Sequence, residues 1–580
     1  MEPRGQVTRS EWLWALAWSA AALALTCAPY LLGAAISSEA RVFGGFVLSV
    51  EDQYSYLAKM GTGARGAWLF HNVYTSEPHS GALIYSFYIL LGKVAGLAAS
   101  AGHWPLTETM VVVDHIARAL LGALLLLTVY RFAALFTSSR AIRRITFFIV
   151  AFSGGFGWLL LLLGQPNWLG STPIDLILPE GFTFLVLYSF PHIALARTLL
   201  LAGFLVLWSE FSEAPPPQKR GGKQYKERKG KNFLALCVPL RFSSFWLLAG
   251  LCWLAMGLIV PFYVVVAWAV AGATWLAVTI RRRAIAWRET MQTVAACLIA
   301  SPVVIYDWVV FSTNPVMRAW SEQNLILSPH PLHYVMGYAL IGLLAILGTA
   351  YVLRRRDETT LRLVAWAVVI PPLLYLPFNA QRRLIEGWQI PLAMLAAMGL
   401  ARFVLPAWRR TRLVRWLVRF PRYSARGLSR WAIALILLVT VPTNILLLGS
   451  GVLAVASRAM PIFRDGGQVR ALDWLAARAT YDDVVLASYS TGNYLPARVG
   501  ARVFLGLGTE TVRAEEKRAL VKRFFDASTP DEWRVQFLRD WRITYVVAGP
   551  DEQFSPGSAR PLSPVYQAEG YAVYQVISDQ

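Results

Sequence analysis

Cysteine is rare in this chain: four residues among 580, none in a C-x-x-C pair. That pattern excludes a disulfide-stapled scaffold and a zinc ribbon. Cys27, Cys237, Cys252 and Cys297 all lie in or beside apolar stretches and read as small packing residues. Charge is also scarce, at 15% of residues against 56% hydrophobic, with a mean hydropathy of +0.47. A soluble domain of this composition lacks the polar surface to stay dissolved. Acidic residues are scarcer still, 34 against 55 basic, which leaves a net charge of +21. No nucleic-acid recognition motif accompanies that charge, and no nucleic-acid partner is expected. The histidines, among them His71, His79, His330 and His333, lack tight metal-ligand spacing, so no metal site is predicted. Paired halves of matching hydropathy, common in transporters, are missing as well.

What the chain does contain is apolar blocks of roughly 18 to 28 residues, long enough to cross a bilayer core. The first, Trp12 to Ile36, has no charged residue and is too long for a signal-peptide core. About eleven spans are predicted, near 11–36, 108–136, 143–164, 188–208, 244–260, 261–280, 290–311, 333–353, 361–378, 388–405 and 431–453. Basic residues cluster between them: Arg140, Arg143 and Arg144; Lys219 to Lys231; Arg281 to Arg283; Arg354 to Arg356; Arg409 to Arg430. This is the positive-inside pattern. It predicts a multi-pass protein of the cell membrane with a cytoplasmic N-terminus. The segment 81–100 is long enough to span, but counting it would invert every later loop; it is read as an interfacial or re-entrant helix.

The expected organisation is therefore an α-helical polytopic membrane region, 1–455, followed by a small extracytoplasmic α/β domain, 456–580. Within the first lie an outer loop, 37–107, with interfacial helices, and a basic cytoplasmic loop, 209–243. In the second, "DDVVLAS", "ARVFLG", "ITYVVAG" and "YAVYQVI" read as strands. "GGQVRALDWLAARA" and "RAEEKRALVKRFFDA" read as amphipathic helices.

Four groups of residues have chemical potential. Glu51 and Asp52 follow the first span, ahead of a short interfacial helix over Tyr54 to Met60. A carboxylate facing a cavity there has a raised pKa and suits a general base; the alternative is that Asp52 caps the helix. Arg382 and Arg383 emerge on the side that the charge bias leaves poor in cations. Their forks suit phosphate oxygens, and the alternative is headgroup contact or a salt bridge to Glu386. His192 and Arg197 follow Pro191, with Arg197 inside a span, where a charge is a functional candidate or pairs with an acid such as Asp114. Glu180, Asp307 and Glu322 near outer helix ends read as structural or solvated carboxylates.

The layout resembles a known superfamily. An acidic pair opens a long first outer loop just after the first span, an interfacial helix follows, and further spans end in a soluble outer domain. The strings "VEDQY", the following "Y…P…Y…LLG" region and "QRRLIEGWQIPLAMLAA" carry the likeness. The arrangement resembles the GT-C membrane glycosyltransferases, which include protein O-mannosyltransferases, lipid A aminoarabinose transferases and catalytic subunits of oligosaccharyltransferases. Within them it is most similar to the bacterial mannosyltransferase-like, or RgtA/B/C/D-like, branch. The resemblance implies an inverting transferase that moves a sugar from a polyprenyl-phosphate donor to a hydroxyl of a lipid, glycan or protein at the outer face. Asp52 would be the base and Glu51 its support. Arg382 or Arg383, with Arg197 or His192, would hold the phosphate. The D-x-D pattern of metal-using members is replaced by adjacent acids, so no cofactor is required and a divalent metal is unsupported. A transporter or flippase of lipid-linked sugars and a non-catalytic scaffold are the competing readings.

Overall fold

The computed structural model describes residues 5–213, 245–355, 357–550, 552, 554 and 562–577. Most of the basic loop 209–243, with Cys237, lies outside the described residues. Among the described residues, seven helices are long and apolar enough to cross a membrane: Arg9–Ala35 (α1), Leu106–Phe136, Pro191–Phe211, Tyr263–Arg282, Trp287–Thr313, Leu332–Arg355 and Gln381–Arg409. Ala425–Val439 and Pro442–Ala456, bent by 51°, make an eighth if taken as one span. The helical region is a multi-pass membrane bundle.

The predicted count of eleven is not reproduced. The block 143–164 is interrupted after the helix Arg140–Phe152, at Ser153-Gly154-Gly155. There the Asp175 carboxylate takes the Gly155 and Gly157 amides at 2.9 and 3.0 Å and the Thr443 hydroxyl at 2.7 Å. The block 244–260 forms only the 15-residue helix Phe245–Ile259. The block 361–378 forms the 16-residue Glu358–Leu373, which ends at Pro371 and Pro372.

Two shorter helices follow α1: Val50–Ala64 (α2) and Ser86–Gly102 (α3). They pack so closely that a Cβ at Gly63 would sit 2.1 Å from the Ile89 carbonyl oxygen, and one at Gly92 1.9 Å from that of Met60. Only glycine permits this approach. Leu90, Val94 and Leu97 on α3 stay exposed, an apolar stripe at helical spacing.

The chain ends in a five-stranded sheet. Its strands are Val484–Leu486, Arg502–Val503, Tyr545–Ala548, Leu562–Ala568 and Tyr571–Val576. The first is parallel to the second and third, whereas the last pairs antiparallel with the third and fourth. Alternating apolar residues buried against Gly466–Ala476 and Ala514–Phe525 explain why these segments pair. Arg41–Phe43, just after α1, pairs antiparallel with Phe463–Asp465. One apolar core runs from Val50, Tyr54, Leu57 and Met60 of α2 into Leu472, Tyr494 and Val503. The terminal region is therefore packed into the first loop rather than merely held by the last span.

This arrangement gives the bundle two unlike ends. Glu11 at the start of α1 pairs with the buried Arg143 at 3.1 Å. The 27-residue α1 then runs about 40 Å to the strand that meets the terminal domain. The clusters at Arg140–Arg144, Arg281–Arg283 and Arg354–Arg355 lie at the far end, and α2, α3 and the sheet at the domain-bearing end.

Candidate active site

The site is built on α2. The helix opens at Ser49, whose φ of 51° turns the chain sharply and which makes no side-chain cap. Glu51 and Asp52 fall in the first turn, where the helix dipole favours carboxylates. Asp52 is thus inside the helix, and the capping reading does not hold. Gln53 fixes the helix to the bundle, donating to the Ser189 carbonyl and hydroxyl at 3.0 and 2.9 Å. Helical spacing puts Asp52, Tyr56 and Lys59 on one face.

A cleft of about 410 Å³ opens at this turn, lined by Ser49–Asp52 on one side and Tyr489 and Leu507–Thr509 of the terminal domain on the other. The Tyr489 hydroxyl donates to Glu51 Oε2 at 3.0 Å. Asp52 is accessible to water at the cleft wall, yet protein mass surrounds it on its other sides. That crowding raises its pKa above the ordinary value; Arg383 and Lys59 oppose the shift, and Glu510 and Glu51 add to it.

Around this face stand three tyrosines. Tyr56 stacks on Tyr88 with centroids 4.4 Å apart, and the Tyr88 hydroxyl shares a 2.7 Å hydrogen bond with His192 Nδ1. The His192 ring lies 5.0 Å from that of Tyr56. Arg383 reaches the same place: its Nε is 3.6 Å from Glu180, and its charge is felt by Asp52, Tyr56, Tyr85 and His192. The Arg383 charge therefore acts on both Asp52 and His192, although the cleft itself is lined by neither Arg383 nor His192. Arg382 lies beside Glu180 and Tyr334; its Nε is buried without a partner, and it makes no ion pair among the described residues.

Arg197 departs from expectation. It is fully buried and faces Glu386, not Asp114. Its Nη2 donates to Glu386 Oε2 at 2.9 Å and to the Pro179 and Glu180 carbonyls at 3.0 and 2.8 Å. Nη1 donates to Thr183 at 3.0 Å, and Nε donates to Glu386. No part of the fork is turned to the cavity, so Arg197 is corrected from a phosphate ligand to the clamp that holds the Glu180 loop. That pairing also removes Glu386 as the partner of Arg382 or Arg383.

Sequence reasoning missed Lys59 and Glu510. They form a buried ion pair at 2.6 Å, Ser55 donates to the same carboxylate at 2.6 Å, and the ammonium lies 4.2 Å from the Tyr85 ring centroid. Burial pulls the Lys59 pKa down, and Glu510 opposes that shift. A lone lysine one helical face along from Asp52 was a visible signal; its partner, from the far end of the chain, was not. Among the described residues, no three His, Cys, Asp or Glu side chains are grouped to hold a metal. His79 is committed to the Asn72 amide and the Glu77 carbonyl, both at 2.9 Å.

No protein-family model and no curated protein matches the chain. Solved structures do. The archaeal oligosaccharyltransferase AglB from Archaeoglobus fulgidus, in complex with an inhibitory peptide and a dolichol-phosphate, superposes with a TM-score of 0.51 at 13% identity, covering 93% of this chain and 69% of that one. The chain shares the fold of that oligosaccharyltransferase. ArnT from Cupriavidus metallidurans, a second GT-C membrane glycosyltransferase, is similar over 97% of both chains at 13% identity and a TM-score of 0.49. Its undecaprenyl phosphate complex is similar over 99% of both chains, at 14% identity and a TM-score of 0.47. At such identities the likeness concerns the path of the chain. The site of this chain rests on its own geometry.

Proposed function

We propose that this protein is a GT-C glycosyltransferase that transfers a sugar from a polyprenyl-phosphate donor to an acceptor hydroxyl, with inversion at the anomeric carbon. The observation that carries the reading is Asp52 at the edge of an open cleft, within electrostatic reach of Arg383. The dolichol-phosphate in the AglB structure supports a lipid phosphate as the leaving group.

Asp52 removes the proton of the acceptor hydroxyl as its oxygen attacks the anomeric carbon. A new carbon–oxygen bond forms, the bond to the phosphate oxygen breaks, and polyprenyl phosphate departs with its electron pair on the opposite face. Arg383 offers preorganised positive charge to that phosphate, the kind of term that often dominates catalysis. Arg382, with a free Nε, and His192 flank it. Glu51, held by Tyr489, orients the acceptor. The basic far end is cytoplasmic in this reading, and the cleft faces outward, where the acceptor is a lipid, glycan or protein.

The test is incubation of purified protein with polyprenyl-phosphate sugars and candidate acceptors, followed by mass analysis. The expected result is free polyprenyl phosphate and an acceptor heavier by one sugar, of inverted configuration. Intact donor moved across a vesicle bilayer without cleavage would overturn the reading in favour of a flippase.

A further inference from the structure

The far end of the bundle carries a surface that this reaction does not use. Between Glu386 and Asp465 the sequence has no acidic residue, yet eight arginines fall within 409–430. All eight are exposed. None pairs with a carboxylate among the described residues, so the described part of the chain leaves their charge uncompensated. Arg409 donates to the Ser429 hydroxyl at 2.8 Å, which ties the two ends of the segment together.

Large apolar side chains stand between these arginines. Leu413 and Trp416 are each 53% exposed, Phe420 45% and Tyr423 43%. Val414 is buried, so the segment is anchored by one face only. Arginine alone is at home in water, and a buried aromatic cluster alone would be core. Their alternation on one exposed segment fits a water–lipid boundary, where rings sit at headgroup level and long cationic side chains reach the phosphates. The segment's ends support this: it joins the span Gln381–Arg409 to the bent pair Ala425–Val439 and Pro442–Ala456, so the residues between them are tied to the membrane surface. Arg402 and Arg354, on the neighbouring helix ends, extend the basic area.

We propose that 409–430 is a binding surface for anionic phospholipids, its guanidinium forks holding headgroup phosphates while Leu413, Trp416, Phe420 and Tyr423 enter the acyl boundary. Clustered arginines beside a span attract anionic lipid, and the attraction is screened by salt.

The test uses the full-length protein in neutral detergent, titrated with phosphatidylglycerol or phosphatidylcholine and read by native mass spectrometry. The parent should retain phosphatidylglycerol with a preference of about tenfold or more, from several arginines acting together. Raising the salt should erode that preference, and the R412Q/R415Q/R419Q/R422Q variant should lose it while melting as the parent does in phosphatidylcholine. Equal retention of the two lipids by the parent would overturn the proposal. So would a preference untouched by salt, or selective binding of an acidic protein in place of lipid. The salt titration needs no variant, so the proposal stays testable if the substituted protein fails to fold. The outcome is independent of whether the cleft transfers sugar.

Discussion

Asp52 holds a charge where the surrounding protein opposes it. Because crowding raises its pKa, the fold disfavours the ionised carboxylate relative to the unfolded chain, and ionisation of Asp52 costs stability as pH rises. Two outcomes follow for one side chain. Asp52→Asn should melt at or above the parent temperature, since it removes that cost. And kcat/KM should rise with pH through a limb lying above the ordinary aspartate range, because a base acts only when deprotonated. A lower melting point for the Asn variant, or a limb at the usual aspartate position, would contradict the assignment. The arginines separate in the same way. Arg383→Ala should weaken donor binding by about 1.5–3 kcal/mol, as for a charge-assisted contact, and leave the fold intact. Arg197→Met should instead cost about 3–5 kcal/mol of stability, because Glu386 is left buried and unpaired. Titration of donor against both, beside their melting curves, checks the division. Local sequence placed all of these candidates but could not assign their partners. Arg197 and Glu386 meet only after the bundle closes, and the pairing that turns one guanidinium inward and leaves another at the cavity is long-range.

At the scale of elements, the loop between α2 and α3 is fastened to the terminal domain by charge. Lys517 Nζ lies 2.6 Å from Glu77, and Arg513 reaches the same carboxylate at 3.0 Å. Burial works to raise the Glu77 pKa, but Lys517 and the surrounding donors hold it down to about 2. Burial also pulls Lys517 down, yet its close contact with Glu77 and hydrogen bond to Ser76 favour the ion pair. A carboxylate depressed in the fold stabilises fully above its unfolded value near 4.3 and loses that contribution as pH falls toward about 2. The terminal sheet should therefore loosen from the α2–α3 loop across that window, and Glu77→Gln should already show the loosening at pH 7. Hydrogen exchange at Val503 and its neighbours is the measurement; equal protection in parent and variant at pH 7 would refute the role. The segments "DDVVLAS", "ARVFLG", "ITYVVAG" and "YAVYQVI" were legible as strands because a short apolar run between polar residues is a local signal. The pairing of Arg41–Phe43 with Phe463–Asp465 was not, since three-residue strands far apart in sequence leave no periodic trace. The difference between the eleven predicted spans and the seven or eight found among the described residues has a similar origin: hydropathy counts apolar residues but does not register the Gly154–Gly155 break or the Pro371–Pro372 end.

At the scale of the molecule, the far end gathers the arginines and the domain-bearing end holds the cleft. The positive-inside bias then predicts that cysteines placed in a cysteine-free background react differently in intact cells: one at Glu515 with an impermeant reagent from outside, one at Arg412 only after permeabilisation. The reverse pattern would put the cleft on the wrong side for the proposed acceptor. The central claim, however, is that the cleft does chemistry through Asp52. Its most direct test is single-turnover transfer from a polyprenyl-phosphate sugar by the Asp52→Asn protein, measured beside donor binding on the same sample. The account predicts unchanged binding and a rate lower by roughly 10²–10⁴-fold, the range of general-base catalysis. A folded Asp52→Asn protein that transfers sugar at the parent rate would contradict it.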